Sequence, residues 1–272
     1  MKQIWLSIVI AIVSLTSAHA LDLDGPVIQG ALRMGQVAPG ASVQIDGKPV
    51  RVTPVTGQFV FGVARDRKDS LRIQVTDADG TIEQVEYVVT VRQYDIERID
   101  GLPARKVTPN TLDLERIRRE GRLISATRAR DTELTHVLSG FAWPVTGRIS
   151  GRYGNQRVLN GKPRRAHLGI DIAAPQGTPV AASAPGQVSL AAADLFYTGG
   201  TIVIDHGHGV TTIYSHLADV SVADGQRVVR GEVIGTVGST GRSTGPHLDW
   251  RINWFDLRLD PELITGPMPI TK

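Results

Sequence analysis

Five side chains in this 272-residue chain combine types and spacings that suit hydrolysis at a metal ion: His167, Asp171, His216, His247 and Asp249. In His167-Leu-Gly-Ile-Asp171 an imidazole and a carboxylate stand four residues apart; in His247-Leu-Asp249 they stand two apart. Between these pairs, Ile213-Tyr-Ser-His216-Leu217 closes an alternating apolar run with a lone His. Side chains at i, i+2 and i+4 of a β-strand share a face. Both flanking pairs therefore converge on one point if their strands lie side by side. A hydrolytic metal needs about three protein ligands and an open position for water.

The elements that must hold these residues are β-strands. From Phe141 onward turns recur at Gly147, Gly151, Gly154, Pro175-Gln-Gly177, Pro185-Gly186, Gly199-Gly200, Asp224-Gly225 and Gly238. They separate strand candidates at Val180 to Ser183, Gly186 to Ala191, Thr201 to Asp205, Val210 to Tyr214 and Val233 to Val237. This predicts an all-β domain over 141–265, closed by Asp260-Pro261 and followed by a polar tail, 266–272. Residues 21–97 show shorter alternating runs broken by Asp46-Gly47 and Asp79-Gly80, strong hairpin signals that predict a small Ig-like β-sandwich. Between the two domains, 98–140 reads as an Arg-rich, partly helical linker. Its helix is expected from near Leu112 to about Leu138, capped by Asn110 or Thr111. Leu114, Ile117, Leu123, Ile124, Leu134 and Leu138 form an imperfect apolar stripe along it.

Residues 1–20 read as a cleavable signal peptide. Lys2 precedes an apolar stretch from Ile4 to Leu15, and Ala18-His-Ala20 has the small-residue cleavage pattern. The expected location is the periplasm or cell envelope, with no membrane span after cleavage. The chain has no Cys, which excludes disulfides and thiolate metal sites. A net charge of +3 and 5% aromatic residues argue against nucleic-acid binding, which needs a basic footprint and stacking platforms.

Four segments, in this order, carry a resemblance to one family. Arg164-Arg-Ala-His167-Leu-Gly-Ile-Asp171 resembles the His-x-Gly-x-Asp motif of lysostaphin-type (LytM-like) zinc metallopeptidases, and Ala174-Pro-Gln-Gly-Thr-Pro-Val180 the turn after it. Ile204-Asp-His-Gly-His-Gly-Val210, leading to His216-Leu217, resembles their central hairpin. Gly241-Arg-Ser-Thr-Gly-Pro-His247-Leu-Asp249 resembles their closing Gly-Pro-His-Leu-His motif. The match runs from about Trp143 to Pro261. It implies an antiparallel β lysostaphin-like (duplicated-hybrid-motif) domain that hydrolyses peptide bonds in peptidoglycan. By the same resemblance His167 and Asp171 are metal ligands, and His216 and His247 stand beside the metal, orienting water and stabilising the oxyanion.

The remaining ligand position falls on Asp249, where the family normally has a second His. Carboxylate oxygen binds zinc at nearly the same distance as imidazole nitrogen. Two carboxylates, however, bring a divalent ion's ligand set to formal neutrality, where one leaves +1. This predicts lower zinc (Zn2+) affinity or an alkaline-shifted activity profile, and makes manganese (Mn2+) more competitive. It also keeps a second reading in view: an inactive wall-binding protein, or an activator of a peptidoglycan amidase, working with envelope regulatory proteins. The run Val222 to Val237 echoes biotinyl and lipoyl carrier hairpins, but no lysine lies between Pro163 and Thr271 to carry the group. His206 and His208 flank Gly207 in an expected turn, and His19 and His136 are assigned no chemistry. Arg148, Arg152, Tyr153 and Asn155 are candidates either for the groove wall or for turn and packing roles. Tyr214 alternates onto the strand face of His216, bordering the site or packing the core.

Overall fold

Alternating apolar residues in the first third of the chain pair into two small antiparallel sheets. The computed structural model describes residues 21–269; the expected signal peptide, 1–20, and residues 270–272 of the tail lie outside the described residues. Strands β1 (Asp22–Leu23), β2 (Leu32–Gln36), β3 (Ser42–Ile45), β4 (Lys48–Val50), β5 (Gln58–Gly62), β6 (Leu71–Thr76) and β7 (Ile82–Tyr87) order as β1-β2-β5 and β4-β3-β6-β7. The Asp46-Gly47 turn joins β3 to β4 with both residues at positive φ, as a tight hairpin requires. Val43, Ile45, Phe59, Phe61, Leu71, Ile73 and Val75 fill one apolar core.

Strand β8 (Ile96–Ile99) straddles the expected boundary between residues 97 and 98 and is followed by α1 (Ala104–Val107) and α2 (Thr111–Arg128). Asn110 caps α2, its side-chain oxygen accepting the Asp113 N–H at 2.9 Å. The helix ends well short of Leu138, and a 3-10 turn covers His136–Ser139 instead. Its inward face also differs from the expected stripe: Asp113, Glu120 and Thr127 are buried, whereas Leu114 and Leu123 are exposed. Polar anchors dock this helix. Glu120 accepts the Phe196 N–H at 2.7 Å, and Arg116 reaches Asp194 at 2.9 Å.

The rest of the chain supplies β9 (Arg148–Gly151), β10 (Gln156–Leu159), β11 (Lys162–Pro163), β12 (Ile170–Ala173), β13 (Pro179–Ala181), β14 (Gly186–Leu195), β15 (Gly199–Gly207), β16 (Val210–Val220), β17 (Arg227–Val228), β18 (Val233–Val237), β19 (His247–Trp254) and β20 (Leu257–Leu259), and all but β10 and β11 form the ten-stranded sheet that holds the second core. The main path is β17-β14-β15-β16-β19-β12-β9, while β10 pairs with β8 on one side and β11 on the other in a separate small sheet. Every residue of β15 is buried, including Thr201, Asp205 and His206 beside the apolar Ile202-Val-Ile204. This all-β core is sewn to the N-terminal sheets. Leu32 and Val60 enter its apolar cluster, and Arg92 pairs with buried Asp260 at 2.7 Å. Among the described residues no helix is long and apolar enough to cross a membrane.

His206 belongs to β15 rather than to the turn beside it. It is wholly buried, with Nδ1 2.6 Å from the Pro185 carbonyl, Nε2 2.7 Å from Thr212 Oγ1, and its ring edge-on to Phe141. Burial pushes its pKa down to about 4. The unfolded chain, titrating at about 6.5, takes up this proton first. The stability His206 contributes is therefore complete above that value and is lost as pH falls toward 4. In urea titrations, the stability difference between pH 7 and pH 5 is expected to shrink by about 2 kcal/mol in His206→Gln. An unchanged difference would show that another group sets the acid limit.

Candidate metal centre

The centre is assembled on three neighbouring strands, β16, β19 and β12, that are far apart in sequence order. Asp171 on β12 and Asp249 on β19 are direct cross-strand partners, and Ser215 on β16 faces Asp249 from the other side. His247 opens β19, where its N–H donates to the Gly238 carbonyl at 3.1 Å. His216 sits one residue beyond Ser215 at φ +67, in the left-handed region that costs a non-glycine residue of order 1–3 kcal/mol. The alternation of β16 breaks at this irregularity. Tyr214 consequently points into the core, bonded to Ser183 and Thr212, and does not border the site.

His167 is not on a strand with Asp171, so face-sharing at i and i+4 does not bring them together. It lies in the irregular segment before β12, held by its N–H donating to the Asn155 carbonyl at 2.8 Å and its carbonyl accepting the Gly154 N–H at 2.7 Å. Two glycines make the approach of the side chains sterically feasible. A Cβ at Gly169 would lie 2.6 Å from Cγ of Arg251, and one at Gly151 would collide with the Asp171 carboxylate.

His167 Nε2 lies 3.2 Å from Asp171 Oδ1, yet both atoms are buried without a hydrogen-bond partner. One donor atom from each of His167, Asp171 and Asp249 falls within 4.8 Å of the others. Buried polar atoms left unpaired are costly. Two orphaned atoms, one from an imidazole and one from a carboxylate, converging with the Asp249 carboxylate, fit a divalent cation. The other two histidines stand alongside. His247 Nε2 is 3.8 Å from Asp171 Oδ1, and the His216 and His247 ring centroids are 4.8 Å apart. Each turns Nδ1 to a carbonyl at 2.8 Å, of Thr240 for His216 and of Gly245 for His247. A carbonyl only accepts, so Nδ1 carries the proton and Nε2 keeps its lone pair. Burial pushes the His216 pKa down to about 4, with the His247 ring adding to it and the nearby carboxylates opposing.

Two guanidiniums complete the electrostatics. Arg251 grips Asp249 with both arms, Nε to Oδ1 at 2.7 Å, and Arg157 reaches Asp171 Oδ2. Burial alone would raise both carboxylates. For Asp171 the adjacent His167 ring, then Arg157, outweigh it; for Asp249 Arg251 does, and each carboxyl is held below its ordinary range. The count of ligand charges made from the sequence omitted these two cations, which offset the two carboxylates. Arg251 was legible, standing at i+2 from Asp249 on the same strand face. Arg157 had no local signal.

An open groove of about 510 Å³ lies over the centre, lined by Asp171, His216 and His247 from the sheet and by Glu97, Arg98 and Ile99 from the linker strand. Of the residues proposed for its wall, Arg152 pairs instead with Glu262 at 2.7 Å, and Tyr153 is buried with its hydroxyl on the Arg258 carbonyl. Asn155 accepts the Asp95 N–H at 3.1 Å, and Arg148 stands exposed on β9. None of the four lines the groove.

A groove on an antiparallel sheet, with imidazoles and carboxylates converging at its floor, has the build of a hydrolytic β domain. Residues 165–261 match Peptidase family M23, and this chain carries an M23, lysostaphin-type peptidase domain. The DD-carboxypeptidase/endopeptidase Mpg of Neisseria meningitidis is 49% identical over 125 residues, covering 46% of this chain and 29% of that protein. The peptidoglycan DD-endopeptidase ShyA of Vibrio cholerae is 42% identical over 106 residues, covering 39% of this chain and 24% of that protein. The chain thus spans less than a third of the length of these curated relatives. A crystal structure of a peptidase M23 protein from Pseudomonas aeruginosa is similar over 89% of this chain and 96% of its own, with a TM-score of 0.69 and 29% identity. That likeness extends beyond the peptidase domain to the N-terminal strands and linker.

The Arg251–Asp249 pair generates a test. In chelator-treated protein, Arg251→Gln should cost about 3 kcal/mol in urea unfolding, because it leaves a buried carboxylate uncompensated. Adding Asp249→Asn should recover most of that loss. An unaffected single variant would show that Asp249 does not depend on Arg251.

Proposed function

We propose that this chain is a metal-dependent endopeptidase that hydrolyses peptide bonds in the stem peptides or cross-links of peptidoglycan. The observation that carries the proposal is the convergence of unpartnered His167 Nε2 and Asp171 Oδ1 with Asp249 beneath an open groove, in an M23 domain. The names of the relatives support the substrate class. His167, Asp171 and Asp249 would hold the ion. Zinc suits this set of one nitrogen and two oxygen donors, and the harder carboxylates make manganese a competitor.

When bound, the ion supplies Lewis acidity, polarising the scissile carbonyl and making water a stronger acid. The protein supplies the rest. His216 and His247 present Nε2 lone pairs from rings fixed at Nδ1, so one accepts the proton of the attacking water. The partner imidazole, when protonated at Nε2, donates a hydrogen bond toward the developing oxyanion, and the proton taken from water passes to the leaving amine. Arg157 and Arg251 keep the paired carboxylates ionised. The centre then stays more electrophilic than its ligands alone would make it, which moderates the alkaline shift expected from Asp249.

In this reading the segment 1–20 directs export to the periplasm or envelope. The N-terminal sheets (21–97) and linker (98–140) hold the peptidase domain (141–265) against the wall. One observation favours the second reading, an inactive wall-binding protein or amidase activator: both oxygens of Asp249 are engaged by Arg251. A carboxylate has about four lone-pair sites, so this engagement leaves Asp249 capacity to ligate.

Metal analysis paired with digestion of purified sacculi separates the two readings. The intact chain should carry stoichiometric metal and release soluble fragments. Asp249→Ala should lose both metal and cleavage. His247→Ala should keep its metal while cleavage falls about 100-fold or more, as expected for a proton-transferring group. A metal-free, inactive intact chain would favour the activator. Metal loss in His247→Ala would instead make that residue a ligand.

A further inference from the structure

Beside the groove lies a second cavity of about 690 Å³, and its lining is unusually basic. Seven arginines face it against a single carboxylate, Asp256. Three of them have acidic partners: Arg157 and Arg251 at the centre, and Arg128, whose arm is 3.6 Å from the exposed Asp256. Even there, Arg128 Nε is buried without a hydrogen bond. The other four, Arg164, Arg165, Arg242 and Arg258, have no carboxylate within 4.0 Å among the described residues. Arg242 stacks on Tyr197, 4.4 Å from the ring centroid, and among the described residues the Arg258 guanidinium has no acidic partner.

Partly buried guanidiniums are normally paired, since removing a charge from water without a counter-ion is costly. Concentrating them round one cavity adds mutual repulsion. Burial, with Arg251 and Arg128 alongside, pushes the Arg258 pKa down to about 9. A basin built this way lowers its free energy by taking up anionic groups, and the planar fork of arginine matches carboxylate geometry. The position of the basin indicates which anion. Arg157, Leu159 and Arg242 line both the basin and the catalytic groove, so an extended chain lying in the groove continues into the basin.

We propose that this arginine basin is a substrate subsite that binds the free carboxylates of a peptide strand whose neighbouring bond lies in the groove. The subsite rests on the reading of the groove as a peptidoglycan peptidase. It makes the protein selective for stem peptides with ionised rather than amidated carboxyl groups. Arg165, exposed at the rim, and Arg258, deeper in, contribute charge without touching the proposed metal ligands.

The test is calorimetric titration of the full chain with three probes: a synthetic stem tripeptide with free carboxylates, the same tripeptide amidated, and inorganic pyrophosphate. Each titration is completed within the time over which chromatography shows the tripeptide intact, so the readout is binding alone. The free-carboxylate peptide should bind roughly ten-fold more tightly than the amidated one, with the difference shrinking as salt rises. Arg258→Gln should remove most of that preference without changing affinity for the amidated peptide. Arg165→Gln, at an exposed position that does not threaten folding, should reduce the preference several-fold. Equal affinity for the two peptides overturns the proposal, as does pyrophosphate binding without a carboxylate preference, which would make the basin a phosphate site. Failure of sacculus digestion with the preference intact would count against the peptidase reading and leave the subsite standing.

Discussion

Two buried carboxylates placed directly opposite each other, Asp171 on β12 and Asp249 on β19, are the constraint on which the rest of the centre depends. Like charges facing across a strand pair repel, and burial removes the water that would screen them. The pair persists because cations approach from both sides. Arg251 reaches back along β19, Arg157 comes from β10, and a divalent ion would draw both carboxylates to a common centre. Gly151 and Gly169 follow from the same requirement, since any side chain there would occupy the space of a carboxylate or its guanidinium.

The need for Arg157 explains the unusual path of the linker. Strand β10 leaves the main sheet and pairs in parallel with β8, and Glu97 on β8 accepts from Arg157 at 3.3 Å. A chain of alternating charges, Glu97 to Arg157 to Asp171, thereby ties the segment after the N-terminal sheets to the centre. That segment also forms one wall of the groove, so the linker takes part in the shape of the site. The Arg92–Asp260 ion pair likewise ties the N-terminal segment to the chain beyond β20.

The histidines divide between chemistry and architecture by what each ring nitrogen meets. His206 has both nitrogens bonded inside the core, and its burial keeps it neutral at physiological pH. His216 and His247 have one nitrogen tied to a carbonyl and the other facing the groove. The left-handed backbone at His216 is a cost that its position over the centre explains, because regular alternation would have turned the ring away.

Much of the centre was legible in the sequence. The strand alternation and the Asp-Gly hairpin depend on local periodicity and turn chemistry, which short segments carry, whereas the pairing of the Asp249 strand with the Asp171 strand entered only as a condition. The helix cap at Asn110 is local in the same sense. The inward face of that helix was not legible, because Glu120 is buried for the sake of the Phe196 N–H on another element. Nor was the role of Arg157, or the arginine basin, whose members come from segments brought together only by the sheet order. By itself the sequence determined which side chains offer metal-binding and proton-transferring atoms, and on which kind of element most of them sit. Tertiary structure decided which charges compensate them, because burial and long-range pairing depend on neighbours that are distant along the chain.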